Sequence, residues 1–258
     1  MTKKIGITLC GGGMRGICQI GVLHALEKNG ISPEYVSGAS IGAIIGVFYA
    51  AGVSPLEILE ISRQSTMIKI FNPTISLQGI SNLKYLKTLL EKNLPFTTFE
   101  KLNKKLYVAA TNLHKGRLEI FSSGDCILPV MASAAVPVVF EPQEINGEKY
   151  VDASILNNLP IEPIRPLTDI LIGTYVHSHG PMEGDDLFNN WRSVIDRSVS
   201  LSLYGKSVRQ LRQCDFVIEP EKVFSFSAFN KKNDQILFDL GVEEAEKIIP
   251  QIKKAIQS

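Results

Sequence analysis

The sequence has no cysteine pair at CxxC spacing, no excess of one charge and no apolar run long enough to cross a bilayer, and each absence removes a class of function. Cys10, Cys18, Cys126 and Cys214 lie far apart, which argues against a zinc site and a disulfide framework and fits a reducing cytosol. The 27 basic and 26 acidic residues leave a net charge of +1, too weak a field to gather nucleic acid or hold the chain on a strongly anionic membrane. The longest apolar run, Ile41 to Val53, is interrupted by Gly42, Gly46 and Gly52 and falls short of the ~20 residues that span a bilayer. The stretch Ile5 to Leu9 runs straight into glycines and is too short for a signal-peptide core. The expected location is therefore cytoplasmic, with any membrane contact transient, local and apolar at the inner surface. Oligomeric state is left open by the sequence.

What the chain does have is core. At 258 residues and 45% hydrophobic content it can bury roughly three quarters of its unfolded surface as one α/β domain, with no repeat, low-complexity tract or linker. Periodicity predicts a strand at Ile5 to Leu9, a helix from about Gly16 to Lys28, a short strand around Tyr35 and Val36, and a helix after Ser40, a βαβα opening with a parallel pair. Helices follow through 54–100, with Ser54-Pro55 at one start and Ser81 or Asn82 as a cap before Leu83, Leu86, Leu89 and Leu90. Between them, residues 67–80 are apolar without period and suit either core packing or a lipid-contacting lip. Two hairpins are expected, Leu106 to Asn112 with Arg117 to Phe121, and Val138 to Phe140 with Lys149 to Val151 around Asn146-Gly147. A small-residue helix lies near Cys126 to Ala135. The last hundred residues supply a strand at Ile170 to Val176, a helix from about Asp185 to Gln213, a strand at Phe216 to Ile218 and a C-terminal helix.

Two glycine motifs carry chemistry. Gly38-Ala39-Ser40-Ile41-Gly42 fits G-x-S-x-G, where a serine sits on a sharp strand-to-helix turn, although Ser40 could equally be a helix cap. Gly11-Gly12-Gly13-Met14-Arg15-Gly16 lies between the first strand and first helix, with backbone N–H groups unshielded by side chains. One use of that loop is a dinucleotide site, but the second strand then needs an acid at its end, and the nearest, Glu34, precedes it. The other is an oxyanion hole. A parallel βαβ unit sets the loops after its two strands side by side, bringing the glycines next to Ser40.

A serine nucleophile needs a base. His24 falls within the first helix and His114 in a hairpin loop, whereas His177 and His179 follow a strand and could complete a Ser, Asp, His order. Asp152 competes with them from the end of the strand Lys149 to Val151, where open α/β sheets carry their chemistry, although it could simply cap a turn.

GGGMRG, GASIG and the later Asp152 together resemble the patatin-like phospholipase family, as do Ala132 to Pro137 and Asn157-Asn158-Leu159-Pro160. The resemblance implies a three-layer αβα sandwich with a mostly parallel sheet and a lipid acyl hydrolase working through a Ser-Asp dyad. It assigns Ser40 as nucleophile, Asp152 as general base and the amides of Gly11, Gly12 and Gly13 as oxyanion donors. Arg15 holds the family loop's basic position, open also to a solvated reading, and Gly16, Gly38 and Gly42 support the turns. The implied substrate is a lipid or acyl ester, with no cofactor, no metal and no nucleic-acid partner. In one departure, Asp152-Ala153-Ser154 stands where the family usually has Asp-Gly-Gly or Asp-Gly-Ala, which removes glycine's backbone freedom beside the carboxylate. Two rival functions remain from the residues alone, a nucleotide-binding protein using GGGMRG and a catalytically idle lipid-binding regulator.

Overall fold

The structure, a computed structural model, describes residues 3–64, 83–177, 179–181, 188–226 and 233–258. The apolar segment 67–80 and the cap candidates Ser81 and Asn82 lie outside the described residues.

The chain opens β1 (Ile5–Leu9), α1 (Ile17–Lys28), β2 (Tyr35–Gly38), α2 (Ile41–Ala50), α3 (Pro55–Gln64) and α4 (Lys84–Asn93). It continues with β3 (Lys105–Asn112), β4 (Arg117–Phe121), α5 (Ile127–Ser133), β5 (Gln143–Ile145) and β6 (Glu148–Val151). It closes with β7 (Ile170–Thr174), α6 (Trp191–Leu211), β8 (Phe216–Ile218) and α7 (Asp234–Gln257). The strands form a mixed sheet in the order β5-β6-β3-β2-β1-β7-β8, with β4 also on β3. From β3 through β8 the pairs are parallel, and β4, β5 and β6 join antiparallel. Every residue of β1 and β7 is buried, so the central strands are covered on both faces by helices, the expected αβα layering.

Helix packing follows from residue size. Every residue of α2 is buried, which its Ile-Gly-Ala-Ile-Ile-Gly-Val-Phe-Tyr-Ala sequence permits. On α1 and α7 the glycines let the backbones meet. A Cβ on Gly21 would stand 2.0 Å from the Phe238 carbonyl oxygen, and one on Gly241 1.9 Å from that of Cys18. At the start of α3, Ser54 and Glu57 form a reciprocal cap, with Ser54 N donating to Glu57 Oε2 at 3.0 Å and Glu57 N to Ser54 Oγ at 3.3 Å. Among the described residues no helix is long and apolar enough to cross a membrane.

Three boundaries depart from expectation. Val138 to Phe140 is a turn rather than a strand, because Val138 sits at φ 71° after Pro137 and the Val139 and Phe140 amides fold back onto the Val136 carbonyl. The hairpin partner of β6 is β5 instead. α1 begins after a tight 3₁₀ turn over Gly13–Gly16 that glycine at φ 57° makes accessible, and α6 begins at Trp191, capped by the Asn190 side chain accepting from Ser193 N at 3.0 Å.

One feature of the sheet places the site. Val108 pairs with Gly38 of β2 and with Phe121 of β4, so those strands lie on opposite edges of β3. Thr111 pairs with Leu118 of β4 and with Val151 of β6, so β6 lies on the same edge as β2. The two strands run toward each other along that edge and stop at Gly38 and Val151, leaving Ala109 and Ala110 of β3 between them, a gap of about 10 Å at ~3.3 Å per residue. The segments carrying Ser40 and Asp152 turn out of the sheet into that gap. Ala39, Ala109 and Ala153 pack together there as a small buried cluster, and larger side chains would wedge the strand ends apart.

Candidate active site

Ser40 sits at φ 54° and ψ −124°, a left-handed conformation unusual for a residue with a side chain, between the end of β2 and the start of α2. Backbone strain of this kind persists only where the surroundings impose it. Here they do. A Cβ on Gly38 would lie 2.6 Å from the Gly42 carbonyl, and one on Gly42 2.1 Å from the Leu9 carbonyl oxygen, so the turn closes only with glycine at both places. The Ser40 amide donates to Ser133 Oγ at 2.9 Å, tying the elbow to α5. Its side chain makes no capping hydrogen bond to α2, which removes the reading of Ser40 as a simple cap.

Asp152 directly follows β6 and is 2% exposed. Its backbone is fixed on both sides, the amide donating to the Ala135 carbonyl at 2.9 Å and the carbonyl accepting from Thr111 Oγ1 at 3.0 Å. Carboxylate Oδ1 accepts from the Ser154 amide at 2.8 Å and from the Ser154 hydroxyl, while Oδ2 has no partner among the described residues. Burial pushes the Asp152 pKa up, and the Ser154 donors together with the nearby Ser40 hydroxyl pull against that rise. The Ser40 hydroxyl thus comes close enough to bias the carboxyl, yet Oδ2 is left without a completed hydrogen bond. Asp152 does act as a turn cap through Oδ1, which leaves its second oxygen uncommitted. Ala153 is not among the residues with positive φ, so alanine is unstrained where the family usually has glycine.

The glycine loop reaches the same place. A Cβ on Gly11 would stand 3.0 Å from Ser40 Cβ and 3.2 Å from Ser154 Oγ. The Gly11 amide is engaged, however, donating to Asn158 Oδ1 at 3.1 Å and to the Asn158 carbonyl at 3.3 Å. That leaves Gly12 and Gly13 as the loop's available donors. Gly12 has no room for a side chain, since a Cβ would meet Val176 Cγ2 at 2.4 Å, and Gly16 is pressed against Ile41.

Arg15 is not a solvated side chain. It is 3% exposed and reaches Asp196 Oδ2 at 2.5 Å, Ser200 Oγ at 3.3 Å and the Phe226 carbonyl at 2.8 Å. Its guanidinium therefore clamps the glycine turn to α6, and each of its nitrogens has a partner elsewhere than Ser40.

Neither strand-end histidine is hydrogen-bonded to Ser40 or Asp152. His177 is buried with Nε2 2.8 Å from the Gly11 carbonyl oxygen, and burial pulls its pKa down to about 4. His179 stacks on Tyr204 with Nδ1 3.0 Å from Glu219 Oε1, and burial lifts that glutamate to about 7. His24 lies beside Phe238, and His114 is exposed in its hairpin loop.

Sequence reasoning gave no role to Ser133, Ser154 or Asn158. The segments holding Ser133 and Asn158 were visible as family-like runs, but hydrogen bonds spanning 93 and 147 residues leave no local pattern.

A family model described as patatin-like phospholipase matches residues 7–165, more than half of the chain. The chain belongs to the patatin-like phospholipase family. An uncharacterised NTE family protein of Mycobacterium tuberculosis is 30% identical over 166 residues, covering 63% of this chain and 46% of that protein. Lysophospholipase NTE1 of Cryptococcus neoformans is 28% identical over 215 residues, 76% of this chain but 13% of its own length. The chain thus spans less than half of these relatives. Among solved structures, VipD of Legionella pneumophila superposes with a TM-score of 0.64 at 16% identity, covering 97% of this chain and 67% of VipD. Human GIVD cytosolic phospholipase A2 superposes with a TM-score of 0.52 at 12% identity, covering 99% and 59%. At these identities the structural matches speak for the patatin-like fold alone.

Proposed function

We propose that the protein is a lipid acyl hydrolase that works through an acyl-enzyme on Ser40, with Asp152 as its only base. The observation that carries this reading is the pairing of a serine held in a strained elbow with a buried carboxylate that has one oxygen uncommitted. Family membership and the lysophospholipase relatives support an acyl ester of a lipid as substrate.

In the first half-reaction Ser40 Oγ bonds to the ester carbonyl carbon as its proton passes to Asp152 Oδ2. The carbonyl oxygen becomes an oxyanion, for which the amides of Gly12 and Gly13 are the assigned donors, each such donor contributing about 3 to 4 kcal/mol. The carbon–oxygen bond to the alcohol then breaks, and the Asp152 proton leaves with the alkoxide. In the second half-reaction water gives its proton to Asp152 and its oxygen to the acyl carbon, and Ser40 departs with the proton as the fatty acid is released. A raised pKa suits a carboxylate to this exchange, because a base far below the operating pH takes a proton poorly.

The test is a hydrolysis panel of acyl esters, lysophospholipids and phospholipids with wild type, Ser40→Ala and Asp152→Asn. Turnover lost in both variants, with folding intact, supports the dyad. Equal rates in wild type and Ser40→Ala would sink it, and fluorophosphonate labelling of Ser40 without turnover on any ester would favour a lipid-binding regulator.

A further inference from the structure

One buried titratable group has no part in the dyad. His177 follows β7, is 5% exposed, and puts Nε2 2.8 Å from the Gly11 carbonyl oxygen. Asn158 grips the same residue from the loop after β6, with Oδ1 accepting from the Gly11 amide at 3.1 Å and Nδ2 3.5 Å from the Gly11 carbonyl oxygen. Side chains from two separate elements therefore hold the backbone of the residue from which the oxyanion loop begins.

A carbonyl oxygen only accepts, so Nε2 carries the proton and Nδ1 is bare. Nδ1 is buried and has no partner among the described residues. Burial and the nearby Arg15 charge both hold the ring neutral, which keeps that tautomer available at ordinary pH.

The sheet order supplies the direction. β1 lies between β2 and β7, so the Gly11 loop after β1 has the Ser40 elbow on one side and His177 on the other. In a trans peptide the carbonyl of one residue and the N–H of the next point opposite ways, and among the described residues no peptide bond is cis. A Gly11 carbonyl drawn toward His177 therefore turns the Gly12 N–H toward Ser40.

We propose that His177 is a positioning residue, which by holding the Gly11 carbonyl aims the Gly12 amide at the oxyanion formed on Ser40. The proposal rests on Ser40 being the nucleophile. It separates an orienting role for His177 from the proton-transfer role that a Ser, Asp, His order would assign to it.

The test compares wild type, His177→Phe, His177→Gln and Ser40→Ala in the full chain, on a soluble p-nitrophenyl acyl ester. His177→Phe removes the donor within a similar volume, whereas the glutamine amide N–H keeps one at comparable reach. The expected result is kcat lower by about 10- to 100-fold in His177→Phe with KM within about twofold, and recovery of most of that loss in His177→Gln. Fluorophosphonate labelling of Ser40 should slow and recover in parallel, because that reaction also builds charge on an oxygen in the hole. If circular dichroism shows His177→Phe unfolded, His177→Ala takes its place in the comparison. Wild-type kcat in the donor-less variant, or equal impairment with and without the glutamine donor, overturns the proposal. Activity surviving in Ser40→Ala overturns the reading beneath it instead.

Discussion

Ser154 donates both its amide and its hydroxyl to one oxygen of Asp152, leaving the other without a partner among the described residues. Two donors on Oδ1 hold the carboxyl plane and draw its pKa down against the rise that burial imposes. Ser154→Ala keeps the amide donor and removes the hydroxyl. The Asp152 pKa then rises further, and the acid limb of the kcat/KM profile should move to higher pH than in wild type. An unmoved limb would mean that Asp152 does not set it.

As the proposed base, Asp152 must be ionised to accept a proton, and burial holds its folded pKa above the usual aspartate value. Activity should therefore fall on acidification at a pH above the ordinary carboxylate range, and Asp152→Asn should abolish the titrating activity. A profile flat down to pH 4 speaks against the assignment.

The same shift has a stability consequence of opposite sense. With the folded pKa raised above the unfolded one, the native state binds more protons, so stability falls as pH rises through the window between the two values and stays lowered above it. Asp152→Asn removes that penalty while its carbonyl can still accept from the Ser154 amide. At pH 8 the variant should melt higher than wild type, by about 2 to 4 °C for each kcal/mol relieved at this chain size, with the gain shrinking toward pH 4. Lower melting at pH 8 would show that the carboxylate stabilises the fold.

Two glycines of α2 should respond in opposite directions. Gly42→Ala forces a Cβ to within 2.1 Å of the Leu9 carbonyl oxygen, which belongs to the central strand and cannot yield. It should cost at least ~1–3 kcal/mol in urea unfolding and disable the elbow. For Gly46→Ala the nearest atoms are side chains of Leu106 and Val36 at 3.4 Å, so it should be neutral or stabilise by about 0.5–1 kcal/mol through helix propensity.

Arg15→Met strips the partner from Asp196 and leaves the Phe226 carbonyl without its donor. Asp196 is partly exposed and water can take over some of its bonding, so the expected cost is about 1–3 kcal/mol. Asp196→Asn should cost less, because the amide oxygen still accepts. Equal effects would show that charge rather than hydrogen bonding dominates the clamp.

Much of this molecule is written locally. Strand β1, the glycine turn, β2 and the Ser40 elbow are legible because each depends on neighbours in sequence: apolar residues in a row, glycines where no Cβ fits, a serine ahead of a helix. Asp152 is legible as a strand-end acid beside a hairpin signal. The first strand of the second hairpin is not legible, because Val138 and Phe140 have strand composition but Pro137 and the Val138 backbone make a turn there. Arg15 was open to a solvated reading, since nothing near it in sequence announces Asp196, Ser200 or Phe226.

By itself the sequence determined which side chains are available for chemistry and which backbone turns only glycine can make, because those depend on residue type and near neighbours. Only the tertiary structure decided that β2 and β6 end facing each other on one edge of β3, that Asn158 occupies the Gly11 amide, and that His177 takes the Gly11 carbonyl. Strand order and contacts between residues more than a hundred positions apart are set by how the whole core packs, and no short stretch of chain encodes that.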